Sequence, residues 1–306
     1  MNRVALIIAT KDRPAELCSL LRNLEGQSYK PAEIIVVDSS QTASLNEDLG
    51  LTRIPIKYHR FHPPSAARQR NAGLNDVSSG INLIGFLDDD VILKPNTLEI
   101  MMKFWNDAPL DVVGAGFNLI NHPPLVASKL KSLPLIEAWG LYSPKPGLVL
   151  RSGFQTMVGT VNRMTEVRWL SSGYSLWRRS VFNTVRFDEW FAASSYLEDL
   201  DFSYSAGRGR RLVVIPNALI FHNHASGGRE SGRVFGKREV VNRLYFVSKH
   251  PELSTFWSMI ALLIRMMMSI ALFMGTGNVH YLRRCAGNVT GFVNYALKGR
   301  SLFMIK

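Results

Sequence analysis

Three consecutive aspartates, Asp88, Asp89 and Asp90, follow an apolar run in the segment Phe86–Leu93. Their charges repel one another, so the segment needs a physical reason for gathering them. Aspartate is common in solvated turns, where its side chain bonds nearby backbone groups. A hard divalent cation is the other explanation, because it takes oxygen ligands and offsets the repulsion between carboxylates. The eight residues alone leave both explanations open.

The preceding sequence predicts that this triplet ends a strand of a parallel sheet. Short β-branched runs at Val4–Thr10 and Glu33–Ser40 enclose a leucine pattern at helical spacing, which is a strand-helix-strand unit. A strand at 54–61, a helix at 65–79 and a strand at 81–90 follow. Ligands of open α/β sheets bind outside the carboxyl ends of the strands. Because Thr10, Asp38 and the triplet all lie at such ends, a metal or nucleotide site is favoured over a turn.

The second half of the predicted domain has a less regular pattern. It predicts a helix at about Pro95–Trp105, a strand at 111–120 and an irregular insert at 121–165 that carries acceptor-side loops. A strand at 166–173, a helix at 177–185 and a second acidic cluster on the first turns of a helix at 195–209 come next. Residues 210–224 then predict a strand pair ending in His222 and His224.

Composition limits the class of protein. With 306 residues, 46% of them hydrophobic, the chain can bury one large core or two smaller ones. Cys18 and Cys285 lie far apart, so neither a disulfide framework nor a zinc site is indicated and a reducing cytoplasm fits. The first apolar run, Val4–Ala9, is too short for a secretory signal and is expected to be a buried strand.

The positive charge is concentrated at the end of the chain. Residues 203–306 contain 15 Lys and Arg against three Glu, which equals the whole net charge of +12. Such a block commonly faces a polyanion, whether nucleic acid, anionic lipid or a phosphorylated substrate.

The segment 256–274 is nineteen residues long and has one charge, Arg265. Its length is close to that of a membrane span, but a charge at mid-helix makes a simple span costly. Ser254, Ser258, Arg265 and Ser269 form a narrow polar stripe along the predicted helix. The helix is therefore expected to lie in a membrane interface, with a true span and internal packing as the alternatives.

Seven motifs, in order, resemble those of the GT-A glycosyltransferases of glycosyltransferase family 2, over about residues 3–250. They are IIATKDRP (7–14), IIVVDSS (34–40), SAARQRNAGL (65–74), FLDDDV (86–91), LSSGYSLWRRSVF (170–182), YLEDLDFSY (196–204) and IPNALIFHNH (215–224). The resemblance implies an α/β GT-A fold with a mostly parallel sheet flanked by helices. It also implies a glycosyltransferase domain at 1–250, followed by a basic, apolar helical segment at 251–306.

The resemblance also implies roles for individual residues on the donor side. Thr10 and Arg13 would help to hold the nucleotide, and Asp38 would accept a hydrogen bond from a uracil-type ring. Arg70, Asn71 and Gly73 match the Ala-Arg-Asn-x-Gly stretch of the family, with Arg70 and Asn71 on the donor. Asp88 and Asp90 match the outer pair of the DxD element. Gly173 matches the acceptor-side glycine motif.

The chemistry of a departing nucleoside diphosphate suits these residue types. Negative charge develops as the glycosidic bond breaks, and a divalent cation held by carboxylates offsets it. Mn²⁺ or Mg²⁺ is expected, with Asp90 as a direct ligand and Asp88 on the ribose or on a metal-bound water. Asp89 would contact the donor sugar, although the triplet leaves the register open by one residue. His222 is the expected third ligand, with His224 as the rival.

An acceptor hydroxyl needs a base, for which Asp199 is favoured, with Glu198 beside it. One carboxylate base without a nucleophile implies single displacement and inversion at the anomeric carbon. The Gln-x-x-Arg-Trp motif of processive members is absent from the sequence, which argues for the addition of one or few sugars.

The expected partners are a UDP- or dTDP-sugar, a glycan or lipid-linked acceptor and the anionic cytoplasmic face of a membrane, without nucleic acid. The alternatives are a sugar-phosphate nucleotidyltransferase and a non-catalytic protein that binds anionic lipid or nucleic acid.

Overall fold

A computed structural model describes residues 2–44, 52–122, 137, 139–191, 196–223 and 231–303. The chain divides into two compact units. Residues Met1–Leu125 and Met157–Ala225 form the first, here called the sheet unit, and Val126–Thr156 and Ser226–Lys306 form the second, here called the helical unit.

The sheet unit is built on one sheet, flanked by helices. Within the described residues its strands are β1 Val4–Thr10, β2 Glu33–Asp38, β3 Ile56–Arg60, β4 Leu83–Asp88, β5 Val91–Leu93, β6 Val112–Leu119, β7 Thr165–Val167, β8 Tyr174–Arg178 and β9 Arg211–His222. Its described helices are α1 Pro14–Glu25, α2 Ala66–Asn75, α3 Thr97–Asp107, α4 Glu198–Ala206 and the 3₁₀ helix Arg179–Asn183.

The first half of the sheet confirms the predicted strand-helix-strand order. The sheet order is β3-β2-β1-β4-β8-β6-β9-β5, with β7 on β9. Strands β3, β2, β1 and β4 are parallel. The register sets Thr10 beside Asp38 and Ala9 beside Asp88, so the polar residues that follow these strands meet at one edge of the sheet.

The predicted α/β fold class is confirmed, and the second half of the sheet adds antiparallel pairings to the parallel ones. Strand β8 pairs antiparallel with β4 and β6, and β9 is parallel to β6 but antiparallel to β5 and β7. The prediction of a helix at 177–185 is wrong, because Trp177 lies in β8 and only the 3₁₀ helix Arg179–Asn183 follows. Ser175, Leu176 and Trp177 are all buried, and a run buried on both faces has no alternating pattern from which a strand is recognised.

Two further strand predictions need correction. The strand predicted at 166–173 is only the three-residue β7. The strand pair predicted at 210–224 is the single strand β9, which contains Pro216. Its pairing with β6 shifts register at that point, between Ile215 and Leu219. A bulge is one of the few places where a sheet accepts proline, and Asn118 fills the gap by donating to the Pro216 carbonyl at 2.7 Å.

Two apolar layers enclose the sheet. Leucines of α1 and the buried residues of α3 pack on one face, against Val4, Leu6 and Ile8 of β1. Residues of α2 and α4 pack on the other face, against Ala5 and Ile7. This alternation along β1 is the two-residue period of a strand that is covered on both sides.

The helical unit contains α5 Gly232–Lys249, α6 Thr255–Thr276, α7 Val279–Lys298 and the 3₁₀ helix Gly299–Phe303. Helix α7 packs closely against α5, and α6 contacts both. The domain boundary expected at residue 250 falls after α5, although the packing groups α5 with α6 and α7. Helix α6 confirms the helix expected at 256–274. It is long and apolar enough to cross a membrane, with a mean hydropathy of 1.9 over 18 residues.

Candidate active site

Two carboxylates and one imidazole come together at the polar edge of the sheet. Asp88 ends β4, Asp90 follows it, and His222 ends β9, which β5 aligns with the triplet by pairing Val91 with His222. One ligand atom from each of the three side chains lies within 4.8 Å of the others. Two carboxylates and an imidazole are a suitable set for a divalent cation. The predicted ligands Asp90 and His222 are therefore adjacent, and Asp88 joins them.

Asp90 and His222 are in direct contact. The Nε2 atom of His222 lies 2.9 Å from Oδ1 of Asp90. Burial alone would lower the pKa of His222, but the hydrogen bond to Asp90 and the charge of Asp88 raise it above its ordinary value. A cation bound here would take the place of this shared proton. The rival histidine, His224, lies outside the described residues.

Asp89 points to different partners from its two neighbours. Its carboxylate accepts a hydrogen bond from the Thr10 hydroxyl at 2.6 Å and pairs with Arg13 at 3.1 Å. Burial raises the pKa of Asp89 to about 6, against the opposing effects of Thr10 and Arg13. Arg13 also lies 3.4 Å from Asp90. The structure thus groups the outer pair, Asp88 and Asp90, with the imidazole, and joins Asp89 to Thr10 and Arg13.

Arg70 links Asp88, Asp90 and His222, here called the metal-ligand cluster for their predicted role, to the acidic start of α4. Its Nη2 lies 3.1 Å from Asp88 and its Nη1 lies 3.0 Å from Glu198. The guanidinium is buried and lies over the ring of Phe187. A buried cation requires charged partners, and Arg70 has one on each side. Arg70, Asp88 and Glu198, predicted from three separate motifs, are therefore one ion-paired group.

Glu198 and Asp199 begin α4 after a strained residue. Leu197 has φ 77°, the left-handed region that a leucine adopts only when its surroundings require it. Burial and the neighbouring Glu198 raise the pKa of Asp199 to about 7. Burial also raises the pKa of Glu198, although Arg70 opposes the change. Because Arg70 neutralises Glu198, Asp199 is the better proton acceptor of the two near neutral pH.

Gly173 lies against Asp88. A Cβ atom on Gly173 would lie 2.2 Å from Oδ2 of Asp88, and the Gly173 carbonyl accepts from the Asp88 N–H at 2.8 Å. The absence of a side chain allows the carboxylate to occupy this position. The structure therefore assigns this glycine to the positioning of Asp88, in addition to its predicted place on the acceptor side.

Asp38 is fully buried, and each oxygen of its carboxylate accepts two hydrogen bonds. One oxygen accepts from the N–H and the hydroxyl of Ser40, and the other accepts from the Ser44 N–H at 2.8 Å and from the Tyr58 hydroxyl. These four bonds hold the loop that follows β2. A direct bond to a pyrimidine ring, as predicted, would need one of them to be exchanged.

Asn71, predicted to lie on the donor, is bonded in the structure to the segment 187–189. Its amide nitrogen donates to the Phe187 carbonyl at 2.9 Å and to Glu189 at 3.0 Å, and its oxygen accepts from the Phe187 N–H. The side chain fixes the segment 187–189, whose Phe187 ring underlies Arg70. Asn71 therefore supports the site indirectly.

Two residues of the site were missed by the sequence reasoning. Gln69 donates to the carbonyls of Thr10 and Val37 at 3.0 and 2.8 Å and so joins the ends of β1 and β2. Tyr174 packs edge-on against His222, and burial together with the charge of Asp199 raises its pKa to about 12. Gln69 lies within the motif at 65–74, next to Arg70, and Tyr174 lies within the motif at 170–182, next to Gly173. Membership of these motifs is the signal available in the sequence.

A hollow opens beside Tyr174. It is lined by Tyr174 and Ser171, by Trp169 and His122, and by Met157 and Gly159 among others, all within the sheet unit. Since Tyr174 contacts His222, this hollow is next to the metal-ligand cluster.

Comparison with known proteins identifies the family. The model of glycosyl transferase family 2 matches residues 5–186, which is more than half of the chain. The chain belongs to glycosyl transferase family 2. The match includes the Asp88–Asp90 triplet, Arg70 and Gly173, whereas Asp199 and His222 lie beyond its end.

Two curated relatives are similar over part of their length. The uncharacterized glycosyltransferase YwdF of Bacillus subtilis is 28% identical over 102 residues, which cover 33% of this chain and 37% of that protein. A Campylobacter jejuni protein named GalNAc(5)-diNAcBac-PP-undecaprenol beta-1,3-glucosyltransferase is 29% identical over 119 residues, 37% of this chain and 38% of that protein. The chain thus matches little more than a third of either relative.

Solved structures of S. aureus TarS share the fold of this family 2 member. The complex of TarS residues 1–349 with UDP-GlcNAc superimposes with a TM-score of 0.55 at 14% identity, covering 95% of this chain and 81% of that one. The complex with UDP gives a TM-score of 0.51 at 15% identity, covering 85% and 69%. At this identity the likeness concerns the fold alone.

Proposed function

We propose that the chain is an inverting, metal-dependent glycosyltransferase that moves a sugar from a UDP- or dTDP-sugar to a hydroxyl of a glycan or lipid-linked acceptor. The observation that carries the proposal is the arrangement at the edge of the sheet. The group formed by Asp88, Asp90 and His222 is joined through Arg70 to the acidic pair at the start of α4.

The ligand set fits Mn²⁺ or Mg²⁺. A bound divalent cation would neutralise the charge that develops on the departing nucleoside diphosphate. Asp88, Asp90 and His222 would hold it. Arg13, which is partly exposed beside Asp89 and Asp90, would contact phosphate oxygens.

Asp199 would take the proton of the attacking hydroxyl. Its raised pKa, about 7, gives it the basicity that a general base needs near neutral pH. Glu198 is held by Arg70, and no second carboxylate is assigned as a nucleophile. This arrangement supports a single displacement, with inversion at the anomeric carbon. The acceptor would approach through the hollow beside Tyr174.

The comparisons support the donor and acceptor classes. TarS, which shares the fold, has been solved with UDP and with UDP-GlcNAc. The C. jejuni relative is named for a saccharide linked to undecaprenol diphosphate. We extend these to a uridine- or thymidine-linked donor and to a lipid-linked acceptor, which would place the enzyme at the cytoplasmic face of a membrane.

A screen of nucleotide sugars tests the proposal. Released nucleotide is measured with each UDP- and dTDP-sugar in the presence of Mn²⁺, Mg²⁺ or a chelator, and the anomeric configuration of any product is assigned by NMR. We expect release that requires the metal and a product of inverted configuration. A retained configuration would contradict the single displacement.

Asp90→Ala provides the matched variant. It removes one ligand and leaves two carboxylates that repel, so metal-dependent nucleotide binding should be lost. Unchanged Mn²⁺ dependence of UDP or dTDP binding in this variant would show that the metal assignment is wrong.

A further inference from the structure

Helix α6 buries two serines of its polar stripe and exposes many of its apolar side chains. Ser258 and Ser269 of the predicted polar stripe are buried within the helical unit, together with Ala261 and Leu262. The exposed side chains on the opposite side include Leu263, Ile264, Met267 and Met274, here called the α6 apolar face. A helix on the surface of a water-soluble domain has the reverse pattern.

An ion-paired cluster centred on buried Glu239 lies behind this face, with the Arg265 side chain 44% exposed. Glu239 of α5 is fully buried and is bonded to Arg265 of α6 at 2.9 Å and to Arg284 of α7 at 2.7 Å. Asn288 also donates to it, at 3.2 Å. Burial alone would raise the pKa of Glu239, but these partners hold it below its usual range. The single charge of α6 is thus directed toward the other helices and away from the apolar face.

Helices α5 and α7 pack with their backbones nearly in contact. A Cβ atom on Gly236 would lie 2.1 Å from the Arg284 carbonyl oxygen, and one on Gly287 would lie 2.1 Å from that of Arg233. Gly232 and Gly291 complete two glycine pairs spaced by four. Such close approach through small residues is common where helices associate in membranes. Because α5 and α7 are in contact here, α6 packs on the outside of this pair and not between them.

The helical unit carries the positive charge of the chain. Residues 126–156 and 226–306 contain 16 Lys and Arg against four Glu, so this unit accounts for the whole net charge of +12. On α7, Arg283 and Lys298 are exposed among the exposed apolar side chains Leu282, Val289, Val293 and Leu297. An apolar surface with basic surroundings is complementary to a bilayer of anionic lipid.

We propose that the α6 apolar face inserts into the near leaflet of an anionic bilayer, just below its headgroups, with α6 lying along the surface. The bond from Arg265 to Glu239 joins α6 to α5. If α6 crossed the bilayer, the charged side chains of Arg265 and Glu239 would have to enter the hydrocarbon layer, which is costly. A second copy of the chain is the less suitable occupant of this face, because pairing would bring together two units of charge +12.

Vesicle flotation with the full chain tests this inference. The probe is a vesicle of phosphatidylcholine and phosphatidylglycerol at 3:1, with vesicles of pure phosphatidylcholine for comparison. We expect binding to the anionic vesicles, and a partition coefficient about a hundredfold lower for Met267→Ser/Met274→Ser, because each buried methionine contributes roughly a factor of ten or more.

The control is Leu110→Ser/Met164→Ser, which removes two exposed apolar side chains of the sheet unit. Neither double variant changes the net charge, so loss of binding in the first alone identifies insertion of the α6 apolar face. Equal binding by both variants would overturn the proposal in favour of adsorption by charge alone.

Two other results would also overturn the proposal. One is the absence of binding to anionic vesicles. The other is a dimer in lipid-free solution that Met267→Ser/Met274→Ser dissociates. The inference deepens the membrane location proposed above, but the assay contains no nucleotide sugar, so its failure is distinguishable from failure of the transfer reaction.

Discussion

Replacing Gly173 by alanine tests whether the position of Asp88 controls catalysis. The new Cβ would lie 2.2 Å from Oδ2 and 2.7 Å from Cγ of Asp88. An ordinary contact needs about 3.4 Å or more between such atoms. The carboxylate must therefore move by about 1 Å, away from Arg70, from the metal-ligand cluster, or from both.

The expected loss is in function more than in stability. A misplacement of about 1 Å in a catalytic group costs about 10²-fold in rate, so we expect turnover and Mn²⁺-dependent nucleotide binding to fall by about that factor. The fold should lose only about 1–3 kcal/mol, the usual cost of one added methyl group in a packed site. Nucleotide release and urea denaturation measure the two effects separately.

Gly26→Ala is the matched control. Gly26 has φ −77°, and the nearest atom to its added Cβ would be 3.5 Å away, which is an ordinary contact. This variant should retain full activity. If Gly173→Ala also kept wild-type turnover and metal affinity, the positioning argument for Asp88 would be refuted.

Three further predictions concern the acidic start of α4 and Arg70. Asp199→Asn should bind the donor normally but lose about 10²–10⁴-fold in transfer, measured as turnover against nucleotide affinity; near-normal turnover would show that another group is the base. In the wild type, kcat/KM should rise with pH through about 7, because Asp199 accepts a proton only when ionised and its pKa is raised to about 7; a flat profile from pH 5 to 9 would contradict this. Arg70→Met leaves buried Glu198 without its cation and should cost about 3–5 kcal/mol in urea denaturation, with a smaller loss for Arg70→Lys; equal losses would argue against an electrostatic role.

The position of the site could be predicted because strand ends converge in a parallel sheet. Val4–Thr10 and Glu33–Asp38 have the β-branched composition of buried strands, and each ends in a polar residue. Once both are strands of one parallel sheet, Thr10 and Asp38 must be neighbours. The same reasoning carries the Asp88–Asp90 triplet to that edge.

The direction in which each carboxylate points could not be predicted. Asp38 and Asp88 each end a parallel strand, yet the carboxylate of the first is bonded by Ser40, Ser44 and Tyr58, and that of the second is partly exposed beside Arg70. The difference depends on partners from other parts of the chain. Tyr58 and Arg70 lie 20 and 18 residues away in sequence, and the periodicity of one strand contains no information about them.

The polar stripe of α6 shows a similar limit. Its helical spacing could be predicted from Ser258, Arg265 and Ser269, but a stripe in one helix is compatible with polar residues facing water or facing other helices. The deciding residue is Glu239, which lies on α5 and bonds Arg265. Glu239 is 26 residues from Arg265 in sequence, so the pattern of α6 alone could not predict that the two side chains are paired.

Arg70 connects the two halves of the proposed chemistry. One guanidinium pairs with Asp88, a member of the metal-ligand cluster, and with Glu198, the neighbour of the proposed base. A cation bound near Asp88 would compete with Arg70 for that carboxylate and leave more of the guanidinium charge for Glu198. The negative charge of Glu198 raises the pKa of Asp199. More positive charge beside Glu198 offsets that negative charge, so the pKa of Asp199 falls. Occupation of the metal site would therefore increase the fraction of Asp199 that is ionised, so the base becomes ready when the donor's cation is in place.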